Sequence, residues 1–158
     1  VDFGEKDRRL LSQIRLNAKK NGIEKTRYRI IQTDVFSDLR ERYDYIFANP
    51  PYIAESRKDR VQLSVLAYES KEALLAGKDG LNAIRLFLSK AKDFLVEGRA
   101  VYLEFDSFQK PAIERHLKKV GYQSWQFFKD QYGKWRWVRI VYNGKNGARE
   151  RTSCDSAR

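Results

Sequence analysis

Tyr43-Asp44-Tyr45-Ile46-Phe47-Ala48-Asn49-Pro50-Pro51-Tyr52 is the stretch that decides the fold. Its first six residues are aromatic and branched, the composition of a buried strand. Two prolines follow, and because proline cannot donate to a sheet ladder they stop the strand. A side-chain amide, two rigid rings and an aromatic side chain are thereby left at the strand's carboxyl end. That is the edge at which open α/β sheets bind their ligands.

Working outward toward the amino end, Arg27 to Gln32 reads as a strand ending at Thr33-Asp34. Before it, Lys6 to Asn21 reads as a helix: Leu10, Ile14 and Ala18 recur every fourth residue, Leu11 lies beside them, and Asn21-Gly22 supplies the stop. Val1-Asp2 reads as the end of a further strand. On the other side, residues 53 to 80 are polar, with a short helix expected around Arg60 to Tyr68. Leu81 to Leu95 is amphipathic, with Ile84, Phe87, Leu88, Ala91, Phe94 and Leu95 on one face. Ala100 to Phe105 is a strand, and Lys110 to Val120 a helix that Gly121 ends. Gln123 to Lys129 and Trp135 to Tyr142 form an antiparallel hairpin around Gln131-Tyr132-Gly133-Lys134. Trp125, Phe127, Phe128, Trp135 and Trp137 are assigned to the core rather than to a base-stacking platform, with Trp135 and Trp137 on one face. The whole is an α/β sheet, mostly parallel with an antiparallel carboxyl-terminal hairpin. Residues 1–142 make up the domain, and 143–158, without periodicity, a disordered basic tail.

Composition narrows the partners. A chain of 158 residues, 42% hydrophobic and 13% aromatic, has enough apolar surface for one folded domain. No apolar run reaches a membrane span and no signal peptide pattern opens the chain, so a cytoplasmic setting without membrane contact is expected. Cys154 stands alone in the polar tail, which excludes a disulfide framework and a cysteine metal site. His116, the single histidine, belongs to a solvated helix. A net charge of +11 favours an anionic partner such as RNA. The basic residues are interleaved with acids, however, so a general solubility charge is the favoured reading over a dedicated nucleic-acid groove, and any RNA contact is expected to be weak.

The Asn-Pro-Pro-Tyr segment suits methylation of a planar nitrogen. Such a nitrogen is a poor nucleophile because its lone pair is delocalised. The Asn49 side-chain oxygen and the Pro50 carbonyl can accept both of its hydrogens, holding it in line with an electrophilic methyl group. Tyr52 can lie against the planar group and exclude water. Positioning and electrostatics then suffice without a general base. The structural alternative is a proline-stiffened loop with an Asn turn residue.

Several blocks, in order, resemble the HemK-type protein-(glutamine-N5) methyltransferases that modify peptide chain release factors. Asn17-Ala18-Lys19-Lys20-Asn21-Gly22 is similar to the family's "NAxxNG" helix, and Thr33-Asp34-Val35-Phe36 to its "xDxF" turn. Tyr43 to Ile53 resembles "FDLIVSNPPYI", while Tyr68-Glu69, Ala73-Leu74 and Gly77-Lys78-Asp79-Gly80-Leu81 resemble "YEPxxAL…GxDGL". Ser70-Lys71 and Phe105-Asp106 depart from the family's Pro-Arg and Ile-Gly. The resemblance covers about residues 1 to 142 and implies a Rossmann-like class I sheet incomplete at its amino terminus. The strand and glycine-rich loop that would precede Asp2 are not in the sequence.

By this resemblance S-adenosylmethionine is the cofactor and a release factor the partner. Asp2 would hold the cofactor ribose, and Asp34 and Val35 would hold the adenine, unless Asp34 only caps its turn. Asn49, Pro50, Pro51 and Tyr52 would take the substrate amide, with Asn49 also beside the cofactor. Glu69 and Glu104 are secondary candidates, each open to a plain salt-bridge role. Asp2, the Thr33-Asp34-Val35 turn and the Asn-Pro-Pro-Tyr loop are expected on one sheet edge, and the strand flank along Tyr45 to Ala48 is expected to be unpaired. The alternatives are a nucleic-acid methyltransferase acting on adenine N6 or guanine N2, and an inactive fragment.

Overall fold

The computed structural model describes residues 1–51, 77 and 79–144. They fall into two compact units, Val1–Glu41 and a second beginning at Arg42. The first is a βαβ unit: β1 (Asp2–Glu5), α1 (Leu11–Lys20) and β2 (Arg29–Gln32). The two strands pair in parallel, with Asp2 opposite Arg29 and Glu5 opposite Gln32. The strand expected to end at Asp2 therefore begins there. Gly4, a poor strand former, sits in β1 because a Cβ at that position would come within 2.9 Å of Thr33 Cγ2. The helix also starts later than its apolar spacing suggests. Asp7 caps a 3-10 turn at Arg8–Leu10, its Oδ1 accepting from the Arg9 amide at 2.9 Å. At the far end Gly22 is left-handed and the Ile23 amide returns to the Ala18 carbonyl at 3.0 Å, the helix stop that Asn21-Gly22 signals.

The second unit is a four-stranded sheet in the order β3-β4-β6-β5. Its strands are β3 (Tyr43–Ala48), β4 (Leu95–Glu104), β5 (Ser124–Lys129) and β6 (Trp135–Val141). β3 and β4 are parallel and the other pairings antiparallel. Helices α2 (Asn82–Ala91) and α3 (Lys110–Lys119) complete it. Val101, Leu103, Phe105, Val138 and Ile140 are fully buried, as are Ile84, Leu88, Ile113 and Leu117 from the helices. This core matches the apolar spacing read from the sequence. Within it the Tyr122 hydroxyl donates to the Leu88 carbonyl at 3.0 Å, and burial raises that phenol's pKa well above its ordinary value.

The opposite face carries a row of rings. Phe47 stacks on Tyr102 at 5.0 Å between centroids, Tyr102 meets Trp137 at 6.0 Å, and Trp137 lies flat on Phe128 at 3.8 Å. The core assignment of the hairpin aromatics needs correction here. Trp125, Phe127, Phe128, Trp135 and Trp137 are all only half-buried. Trp135 and Trp137 also lie on opposite faces. Between Phe128 and Lys129 the register slips, so that Trp137 opposes Phe128 while Trp135 opposes Lys129, and Arg136 is the extra residue. Such a bulge inverts the alternation beyond it. Trp135 accordingly meets Phe127 edge-on at 6.4 Å, and Phe127 meets the buried Phe105 at 5.6 Å.

Among the described residues β3 pairs only with β4, so its other flank is open, as expected along Tyr45 to Ala48. Tyr45 and Phe47 are 52% and 74% exposed there. Native sheets usually cover or charge such an edge.

Candidate functional site

In the first unit the chemistry gathers where β1 and β2 end. Thr33, buried, accepts from the Asp38 amide at 3.1 Å through its hydroxyl. The Asp34 amide donates to the Ser37 hydroxyl at 3.2 Å, and that hydroxyl donates to Asp38 Oδ2 at 2.6 Å. Phe36, within the turn, is almost fully buried. Val35 sits in the left-handed region at φ 60, strained for a β-branched residue and held there by this network. The turn frames a polar pocket of about 390 Å³ lined by Lys6, Gln32, Thr33, Asp34, Ser37 and Asp38. Lys6 Nζ lies 2.8 Å from Asp34 Oδ2.

Asp2 is not in this pocket. It opens β1 at the amino end, and Arg29 grips its carboxylate through two bonds of 2.8 and 2.6 Å. The same guanidinium holds Glu41 at 2.9 and 2.7 Å, which lowers the Glu41 pKa. With its side chain 9% exposed, Asp2 serves a structural ion cluster in this unit. The acid at the carboxyl end of β1 is Glu5, opposite Gln32 of the pocket, its Oε1 accepting from the Asp7 amide at 2.7 Å. Sequence reasoning missed it. The available signal was Asp7, a capping residue placed just before the helix, which forces the strand to finish at Glu5-Lys6.

In the second unit Asn49 leaves β3 directly after Ala48, whose register partner is Leu103. Asn49 is exposed, with Pro50 and Pro51 half-buried behind it. Glu104, next after Leu103, ends the neighbouring parallel strand. Asn49 and Glu104 therefore emerge side by side at one carboxyl edge. Tyr52, Glu69 and the short helix expected around Arg60 to Tyr68 lie outside the described residues.

Asp79-Gly80-Leu81 can be described, and its role is architectural. Asp79 Oδ1 accepts from the Leu81 amide at 3.1 Å, and its carboxylate holds Arg85 at 2.6 Å, which lowers the Asp79 pKa. Gly80 is left-handed, and its carbonyl accepts 2.9 Å from the buried amide of Gln109. Gln109 carries no motif signature and was not anticipated. Among the described residues no group of three His, Cys, Asp or Glu could hold a metal, and no helix is long and apolar enough to cross a membrane.

Comparison with known proteins fits this geometry. Residues 1–84 match the methyltransferase small domain family. A release factor glutamine methyltransferase of Streptococcus pneumoniae is 33% identical over 137 residues, 86% of this chain and 48% of that protein. A bifunctional methyltransferase of Rickettsia conorii is 35% identical over 121 residues, 76% of this chain and 23% of that protein. The chain thus spans less than half of either relative. Among solved structures, ribosomal protein L11 methylase from Lactobacillus delbrueckii subsp. bulgaricus superposes with a TM-score of 0.63 at 18% identity, covering 91% of this chain and 58% of that one. A methyltransferase from Pyrococcus furiosus gives 0.63 at 23% identity, covering 91% and 62%. These establish the Rossmann-like class I methyltransferase fold.

Proposed function

The chain belongs to the methyltransferase small domain family, and on that footing we propose that it forms part of an S-adenosylmethionine-dependent methyltransferase acting on a glutamine side-chain amide in a peptide chain release factor. The observation that carries this reading is the exit of Asn49 and Pro50 from β3 beside Glu104, at the carboxyl edge of a parallel strand pair. Its support in sequence is the run of release factor glutamine methyltransferases among the relatives.

The first unit fits the cofactor's adenosine portion. The open, polar hollow lies at the carboxyl end of β2, beside Thr33 and Asp34. The Asp34 carboxylate can accept from an exocyclic amine, the Val35 backbone borders the same turn, and Gly4 lets β1 close onto Thr33. The ribose role expected of Asp2 passes to Glu5, the acid at the correct strand end. The bound cofactor supplies a methyl group on a sulfonium, a good leaving group.

At the second site Asn49 Oδ1 and the Pro50 carbonyl accept the two hydrogens of the substrate amide. This fixes the nitrogen and turns its lone pair toward the methyl group. By the resemblance Tyr52 would cover the amide plane and keep out water, and Pro51 stiffens the loop. The nitrogen gains the methyl and then loses a proton to solvent. Glu104 adds negative potential beside the nitrogen as positive charge develops on it.

Methyl incorporation from labelled cofactor tests the reading, on the chain itself and on a version extended at its amino end to the relatives' length. The substrates are a release factor domain with its exposed glutamine, the same domain with glutamate there, and bulk RNA and DNA. Label in the glutamine domain alone is expected. Asn49→Ala should cost about 100-fold in rate while changing cofactor affinity less. Label in RNA or DNA but not in protein would favour nucleic-acid amine methylation instead, the reading to which the +11 charge lends weight.

A further inference from the structure

Lys6 is the single cation among the residues that line the first-unit pocket, and its ammonium lies 2.8 Å from Asp34 Oδ2. Resting on the proposed role of Asp34 as the acceptor for the cofactor's exocyclic amine, we infer that Lys6 is an affinity-setting residue, an internal competitor that occupies the Asp34 carboxylate until the adenine displaces it. Three observations carry this.

The contact is short and direct, so the carboxylate oxygen that would accept the amine already has a donor. Both partners line the same pocket, so the ion pair lies at its border. The other lining polar groups have hydrogen bonds of their own. Asp38, the remaining carboxylate, accepts from Ser37 at 2.6 Å, while Gln32 turns its side-chain amide toward the Lys6 carbonyl at 3.4 Å. The hydrogen bond to Asp34 also raises the Lys6 pKa, so the competitor stays charged at neutral pH.

On this inference Lys6 takes two positions. With the pocket empty its ammonium neutralises Asp34. With adenine bound it swings into solvent, which its 74% exposure allows, and the butyl stem is left against the ring edge. Ligand binding therefore includes breaking an exposed ion pair. Such pairs are weak, so the effect on affinity is modest, about twofold to fivefold. It also has a sign that ordinary electrostatic attraction lacks. Salt screens the Lys6–Asp34 pair, so added salt should tighten the binding of an uncharged adenosyl ligand.

The test is titration calorimetry with 5′-methylthioadenosine, which carries the adenine and ribose and no charge. It uses the chain and its amino-terminally extended version, each as wild type, Lys6→Met and Asp34→Asn. Lys6→Met keeps the stem and removes the charge. It is expected to bind about twofold to fivefold tighter than wild type at low salt and to lose the salt-dependent tightening. Asp34→Asn is expected to bind more weakly. Equal affinity and equal salt response in Lys6→Met and wild type, with Asp34→Asn still weakened, would overturn the competitor role and leave the cofactor reading intact. No effect from either substitution, or no binding by any form, would overturn the assignment of the pocket and the inference with it.

Discussion

Among the described residues Gln109 should be the most costly polar side chain to lose. It is 1% exposed, donates from Nε2 to the Gly80 carbonyl at 2.9 Å, and accepts at Oε1 from the Asp106 amide at 3.0 Å. Gln109→Leu keeps the volume and removes both bonds. The Gly80 carbonyl, buried, is then orphaned at about 1–3 kcal/mol, and the part-buried Asp106 amide loses about 1 kcal/mol more. The sum is about 3 kcal/mol. In urea unfolding followed by circular dichroism, with a slope of about 1.5 kcal/mol/M, the midpoint should fall by about 2 M. Gln109→Glu sharpens the test. At neutral pH it replaces the donor with a buried carboxylate facing a carbonyl, and should be less stable than the leucine variant. Burial raises this carboxyl's folded pKa above its unfolded value, so the loss is fully present above the folded pKa and shrinks as pH falls through it. Protonation restores a donor to Gly80, so the glutamate variant should recover toward wild type on mild acidification while the leucine variant does not. A leucine variant within about 0.5 kcal/mol of wild type, or a glutamate variant no worse than leucine at neutral pH, would refute the reasoning.

Two further outcomes follow from the strand placements. Glu5→Gln should weaken S-adenosylhomocysteine binding about tenfold with little change in Tm, whereas Asp2→Asn should lower Tm and leave affinity unchanged; calorimetry beside thermal melts separates the two, and the reverse pattern would return the ribose role to Asp2. Phe47→Lys places a charge on the face of the edge strand β3 and should reduce concentration-dependent association in sedimentation velocity. Unchanged association would show that the edge strand is not the contact.

What the sequence revealed was whatever depends on local pattern. The strand before Asn49-Pro50 announces itself by composition and by the prolines that end it, and α2 and the hairpin by apolar spacing and turn residues. The elements it obscured depend on contacts distant in the chain. The reading that ends the first strand at Asp2 rests on a likeness to the family's acidic strand end; only the close approach of Gly4 to Thr33, far along the chain, shows why a glycine belongs in that strand. The reversal of Trp135 against Trp137 stems from one surplus residue, Arg136, which strict alternation cannot foresee. Gln109 is unremarkable in sequence because its partner, Gly80, is brought to it by the fold.

The bulge at Arg136 has an optical consequence. By turning Trp135 and Trp137 to opposite faces, it gives one short strand two independent fluorophores. Trp135 lies between the Lys110 and Lys129 ammonium groups, each 4.9 Å from its ring, on the side of the helices. Trp137 rests on Phe128, within the ring row that leads to the open flank of β3. With the other tryptophans replaced by phenylalanine, emission from one would follow the helical core and emission from the other whatever settles on the aromatic face. The same chain could then report its folding and its encounters in separate spectra.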